Sequence, residues 1–151
     1  MQRPTLVPVA KEDREAFTKM ATTYFREAIP GFEPDEDFRQ FFFDGMFKPN
    51  IFCDWVVRDG KRLGFVIFGI EDHRFLPRKT GFFYAFYIVP EARGESLATL
   101  AMQDCCRVLD TFHPSKIQLE VIEGNEKAHK LWTRMGFRRV SSKYYLLERK
   151  F

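Results

Sequence analysis

The chain has 151 residues, 45% of them hydrophobic and 30% charged, which suits one α/β-sized domain with a single core. No apolar run reaches the roughly 20 residues that cross a bilayer, and no signal-type segment follows Met1. Three cysteines, two of them adjacent, make no disulfide framework, so the expected setting is a reducing cytoplasm. Charge is uneven: residues 126–151 carry eight Lys/Arg and two Glu, a net +6, and the remainder balances to −3. A basic C-terminal stretch admits phosphate partners, either a cofactor's or a nucleic acid's, beside the plainer reading of a solvated face.

Thr5–Val9 reads as a short strand, placed at a sheet edge by Pro8. A helix opens at Lys11-Glu12-Asp13, with acids where the helix dipole favours them, and runs to Pro30-Gly31 with Phe17, Met20, Ala21, Tyr24, Phe25 and Ala28 on its apolar face. A second helix is expected from Pro34 to Phe47. It carries five acids (Glu33, Asp35, Glu36, Asp37, Asp44) against Arg39 in and beside it, and its Phe38, Phe41, Phe42 and Phe43 cannot all face inward. Ile51–Val57 and Leu63–Ile70 are strands joined by an Asp59-Gly60 hairpin turn. Glu71–Thr80 reads as a polar loop, and Phe82–Val89 as a buried strand.

At Val89-Pro90-Glu91-Ala92-Arg93-Gly94-Glu95-Ser96-Leu97-Ala98 the chain turns from strand to helix. Pro90 stops the strand, Gly94 permits a tight turn, and the helix then continues on Leu97, Leu100, Ala101, Cys105, Val108 and Leu109. The free first-turn N–H groups of such a helix suit a phosphate or pyrophosphate. His113-Pro114-Ser115 breaks the pattern before an alternating strand, Ile117–Ile122. A short helix follows at Glu126–Met135, capped by Gly136, and Phe137–Val140 and Tyr144–Leu147 close the chain as strands. No histidine, cysteine or carboxylate spacing reads as a metal site.

Two segments with a strand between them carry a resemblance. Pro90, Arg93, Gly94 and Ala98 match the pattern Val-x-Pro-x-x-Arg-Gly-x-Gly-x-Gly/Ala, with Val89 directly preceding Pro90, and Asn125, Ala128, Leu131, Gly136 and Phe137 match Asn-x-x-Ala-x-x-Leu/Phe-Tyr-x-x-x-Gly-Phe. The chain resembles the GNAT (Gcn5-related) N-acetyltransferases along nearly its whole length. The resemblance implies a single α/β domain over 1–151, with a mixed, mostly antiparallel sheet of about six to seven strands and about four helices. It also implies acetyl-coenzyme A as donor and transfer of its acetyl group to a primary amine by direct attack on the thioester.

By the same resemblance the pyrophosphate meets the backbone of Arg93, Gly94, Glu95, Ser96, Leu97 and Ala98, and the pantetheine arm runs along Ile88 and Val89. Asn125, Lys127 and Lys130 attend the cofactor from the last long helix. The sequence departs from the family at Ser96, where glycine is usual, at Glu95, and at Trp132, where a tyrosine hydroxyl commonly protonates the leaving thiolate. Indole cannot replace that acid. Tyr87, Tyr144 and Tyr145 are the candidate donors. Glu120 is the first candidate for the base, with Glu33 and Asp72 behind it. The acceptor implied is a small-molecule or peptide amine drawn by the acidic segment 31–47, and exposed phenylalanines admit a homodimer. The alternatives are an inactive coenzyme A–binding module, and an acetyltransferase acting on an aminoacyl-tRNA or protein amine.

Overall fold

A computed structural model describes residues 2–94, 96–120 and 126–139. The chain forms two compact units, residues 1–120 and 121–151. The first is a five-stranded sheet in sequence order: β1 (Thr5–Pro8), β2 (Ile51–Arg58), β3 (Lys61–Asp72), β4 (Lys79–Ile88) and β5 (Lys116–Leu119). The first four strands pair antiparallel, while β5 joins β4 in parallel. β1 lies at the edge, where a proline costs no ladder bond on the open side.

One side of the sheet carries α1 (Arg14–Ala28) and α2 (Glu36–Gly45); the other carries α3 (Leu97–Asp110). Phe17 and Ala21 of α1 and Phe43 of α2 pack with Cys53, Trp55, Phe65, Ile67, Ala85 and Tyr87. Leu97 and Ala101 of α3 pack with Val56, Ile88 and Ala92. The phenylalanines of α2 divide by helical geometry: Phe43 is buried, Phe38 and Phe42 stack together half-buried beside Phe25, and Phe41 is 78% exposed. Asp35, not Pro34, begins that helix, its carboxylate accepting the N–H of Phe38 at 2.7 Å.

The β3–β4 connection is shorter than the expected 71–80 loop. Glu71 pairs with Thr80 and Asp72 with Lys79 in the ladder, so only residues 73–78 remain outside it. Lys79 Nζ also lies 3.6 Å from Asp72, which closes the hairpin mouth.

The second unit's described part is α4 (Glu126–Arg134) and its cap. Gly136, at φ 99°, donates to Thr133 O, and Phe137 donates to Trp132 O. This is the paired hydrogen bonding of a Schellman cap, with Phe137 packed edge-on against Trp132 at 5.8 Å. Of the expected closing strand at 137–140, the described residues 137–139 are not in a strand, and Phe137 donates its N–H to the helix cap. The other expected strand, 144–147, lies outside the described residues. Five strands are therefore present among the described residues, against the six to seven expected. No described helix is long and apolar enough to cross a membrane.

Candidate functional site

β4 and β5 pair only from Thr80 with Lys116 to Phe83 with Leu119. β4 then runs on through Tyr84 to Ile88 while staying bonded to β3 on its other side. Along Tyr84–Ile88 its second edge has no strand partner among the described residues. The parting begins at a β-bulge: Ile67 opposes Ala85 and Phe68 opposes Phe83, leaving Tyr84 as the extra residue. The bulge also reverses the faces. Gly81 and Phe83 point toward α3 and its following turn, whereas Ala85 and Tyr87 point toward α1 and α2.

The turn after β4 is held at each step. Val89 N–H donates to Leu63 O at 2.8 Å, and Pro90–Ala92 forms a single 3-10 turn. Gly94 follows at φ 85°, a conformation glycine adopts without cost, and a Cβ there would meet only open space. Ser96 precedes α3 in the left-handed region, φ 60°, with no side-chain cap bond. The N–H groups of Leu97, Ala98 and Thr99 thus lack intrahelical acceptors, and the described first turn of α3 holds no acid. Leu97, Ala101, Cys105 and Leu109 are fully buried, and Leu97 and Ala101 pack against Ile88 at the end of β4, which holds the helix start beside that strand end. An unpaired strand edge leading to a helix N-terminus fits an amide-bearing arm that ends in a pyrophosphate.

Arg93 acts differently from the expectation that its N–H faces the phosphate. That N–H donates to Pro90 O at 3.2 Å. Its side chain folds back: Nε donates to Ile88 O at 2.8 Å, and the guanidinium meets Glu27 of α1 at 2.7 Å and covers the Tyr87 ring at 5.5 Å. Arg93 therefore braces the turn to β4 and α1. Tyr87 is 4% exposed and packs among Tyr24, Phe65 and that guanidinium. Burial, with a lesser push from Glu27, raises its hydroxyl above the usual tyrosine range; Arg93 opposes this.

Of the residues expected in the site, Ile88, Val89, Arg93, Gly94, Ser96, Leu97 and Ala98 are gathered in this turn. Glu120 is exposed, directly after β5 at the parting of the strands. Lys127 and Lys130 are exposed on α4. Glu95, Asn125 and Tyr144 lie outside the described residues.

Tyr84 was not among the expected residues. It is 42% exposed, stacks on Phe82 at 5.7 Å, and donates its hydroxyl to Glu71 at 2.7 Å. Burial and the Glu71 carboxylate raise that hydroxyl above the usual tyrosine range. Strict alternation along Phe82–Val89 hides this residue; only the bulge brings it to the parting. Among the described residues no group of histidine, cysteine and carboxylate side chains is arranged to hold a metal.

The architecture is widely shared. A solved structure described as a probable acetyltransferase is 19% identical, with 97% of this chain and 99% of that one covered and a TM-score of 0.78. A ribosomal-protein-alanine N-acetyltransferase from Brucella melitensis biovar Abortus 2308 is 18% identical, covering 97% and 100%, with a TM-score of 0.77. The aminoglycoside acetyltransferase AAC(6')-Iy, solved with a bisubstrate analog, is 14% identical, covering 99% and 100%, with a TM-score of 0.76. No curated protein matches the sequence. The family model for the acetyltransferase (GNAT) family matches residues 14–137, which takes in the parted strands, the turn and α4. The chain belongs to that family and is, by membership, an N-acetyltransferase.

Proposed function

We propose that the protein moves the acetyl group of acetyl-coenzyme A to a primary amine by direct attack on the thioester. The observation that carries this reading is the unpaired edge of β4 leading into the uncapped, acid-free first turn of α3. Acetyl-coenzyme A supplies an activated acyl carbon when bound. The N–H groups of Leu97, Ala98 and Thr99 receive its pyrophosphate, and the backbone of Ile88 and Val89 aligns its arm. A backbone N–H on the unpaired edge of β4 before Val89 polarises the acyl carbonyl, Val89's own N–H being held by Leu63 O.

The acceptor nitrogen bonds to the acyl carbon, the carbon–sulfur bond breaks and the thiolate leaves. Glu120, or water it orders, takes the nitrogen's proton; Glu120 suits this by standing exposed at the parting of β4 and β5. Tyr87 and Tyr144 are the proton donors to the thiolate, with solvent as their substitute. The raised Tyr87 hydroxyl is protonated at neutral pH but is a weaker acid than a free tyrosine, so solvent shares this role. Lys127, Lys130 and Asn125 attend the nucleotide, and a cytoplasmic setting accords with the three unbridged cysteines.

Replacing Ala98 by proline tests the turn. Proline is tolerated in a helix's first turn but removes one N–H. Calorimetric titration with acetyl-coenzyme A should show about tenfold weaker binding with an unchanged Tm, the loss of one charge-assisted hydrogen bond. Unchanged affinity would sink the pyrophosphate assignment.

A further inference from the structure

On the side of the sheet away from α3, beyond Tyr84, lies an open cleft of about 550 Å3. Its floor is strand: Thr80 and Phe82 of β4, Lys116 and Gln118 of β5, and Glu71 at the end of β3. Its wall is the 73–78 connection, which is built rather than loose. His73 N–H donates to Arg78 O at 2.8 Å, and the His73 imidazole Nδ1 accepts the N–H groups of Phe75 and Leu76, each at 3.0 Å.

The charges of the cleft are sorted. Glu71 accepts the Tyr84 hydroxyl, and Asp72 is met by Lys79. Arg74, Arg78 and Lys116 line the same cleft, yet none of them forms an ion pair or a side-chain hydrogen bond among the described residues. Three unpaired cations around one concavity repel one another, and an anion relieves that repulsion; the arginine forks match a carboxylate or phosphate in geometry.

We infer that this cleft is a specificity subsite: the acceptor is an amine that carries an anionic group, held by Arg74, Arg78 and Lys116. The inference rests on the transferase reading above and names its acceptor class. From Thr80, beside the cations, to Tyr84, at the parting of the strands, is roughly 10–13 Å at the rise of a strand. The amine end therefore reaches Glu120, at the parting of the strands, when the anion is about that far away; Glu71, opposite Thr80, stays at the cation end and holds the Tyr84 hydroxyl there. Phe82, stacked with Tyr84, floors the span between them. The acidic segment 31–47 does not contradict this, since it draws the cationic end.

Triglycine spans about 10 Å from amine to carboxylate when extended, and its amide differs only in lacking the charge. Calorimetric binding and acetylation kcat/KM should be measured for both peptides, on the native protein and on a doubly substituted Arg74→Glu, Arg78→Glu protein. About a tenfold preference for the carboxylate is expected from one to two charge-assisted hydrogen bonds, and it should vanish in the double variant. Acetyl-coenzyme A binding should be the same in both proteins, since neither arginine lies in the turn before α3. Equal use of the two peptides, a preference that survives in the variant, or binding of neither peptide would overturn the inference. Absence of acetyl-coenzyme A binding in the native protein would instead overturn the transferase reading and leave the anion preference to be judged by binding alone.

Discussion

Asp54 sits half-buried on β2, turned away from Cys53 and Trp55, with no hydrogen bond or ion pair among the described residues. Burial lifts its carboxyl to about 6. Its charge also adds to the burial that pushes the Cys105 thiol on α3 above its usual range. A folded carboxyl that binds its proton more tightly than the unfolded one stabilises at low pH, and that contribution is lost as pH rises from about 4 to about 6. Asp54→Asn should therefore match the native Tm near pH 4 and exceed it above pH 7, by an amount worth up to about 3 kcal/mol. Thermal unfolding at several pH values reads this directly, and a difference that does not grow with pH would refute it. Ser96 offers a second test. Its left-handed backbone costs a side-chain-bearing residue about 1–2 kcal/mol, partly offset by the entropy of glycine. Ser96→Gly should raise stability by about 0.5–1 kcal/mol, seen as a higher denaturant midpoint at unchanged slope.

Among elements, the start of α1 is clipped to the sheet by one carboxylate. Asp13 accepts the N–H of Ala10 at 2.9 Å, the indole N–H of Trp55 at 3.1 Å and the Arg62 guanidinium at 2.8 Å, while Arg62 also covers the Trp55 ring. The Ala10 N–H, then Trp55 and Arg62, hold the carboxyl below its usual range despite the opposing cost of burial. Asp13→Ala leaves the N–H of Trp55, a residue 1% exposed, without its acceptor and should cost about 1–3 kcal/mol. The native clip acts above the unfolded carboxyl's titration and weakens as pH falls through the lowered value, so the deficit should shrink in acid; chemical denaturation at pH 7 and pH 3 checks both points. α4 ends by the same economy of contacts. Trp132 lacks the acidic hydroxyl of tyrosine, but it supplies the apolar partner of Phe137 in the helix cap.

For the molecule as a whole, the parting of β4 from β5 depends on how closely β4 is held to β3. At Gly64, opposite Ile88, an added Cβ would collide with the Tyr87 carbonyl oxygen, which is backbone and cannot give way. Gly64→Ala should push β3 from β4 beside the arm-binding edge. We expect both a lower Tm and a several-fold rise in KM for acetyl-coenzyme A; a KM unchanged in a protein that still folds would show the edge to be independent of β3. The cysteines take no part in this. Cys53 and Cys105 are buried and their thiols pushed up, so the chemistry falls to carboxylates, tyrosines and backbone.

Local chemistry alone determined much of this protein. Pro8, Asp59-Gly60, Pro90 and Gly136 mark boundaries through their own backbone preferences, and apolar spacing placed α1 and α3. The strand–turn–helix with its phosphate-suited N–H groups was legible for the same reason, since every group in it lies within ten residues of sequence. Tertiary structure decided the rest. A bulge is a mismatch between two strands, so neither strand read singly reveals that Tyr84 is the extra residue or that the faces of β4 exchange there. Arg93 looked like a phosphate contact until Glu27, 66 residues away, was seen to hold it. The unpaired cations of the cleft are likewise a relation among β3, β4 and β5, because whether a charge lacks a partner depends on everything that folds around it.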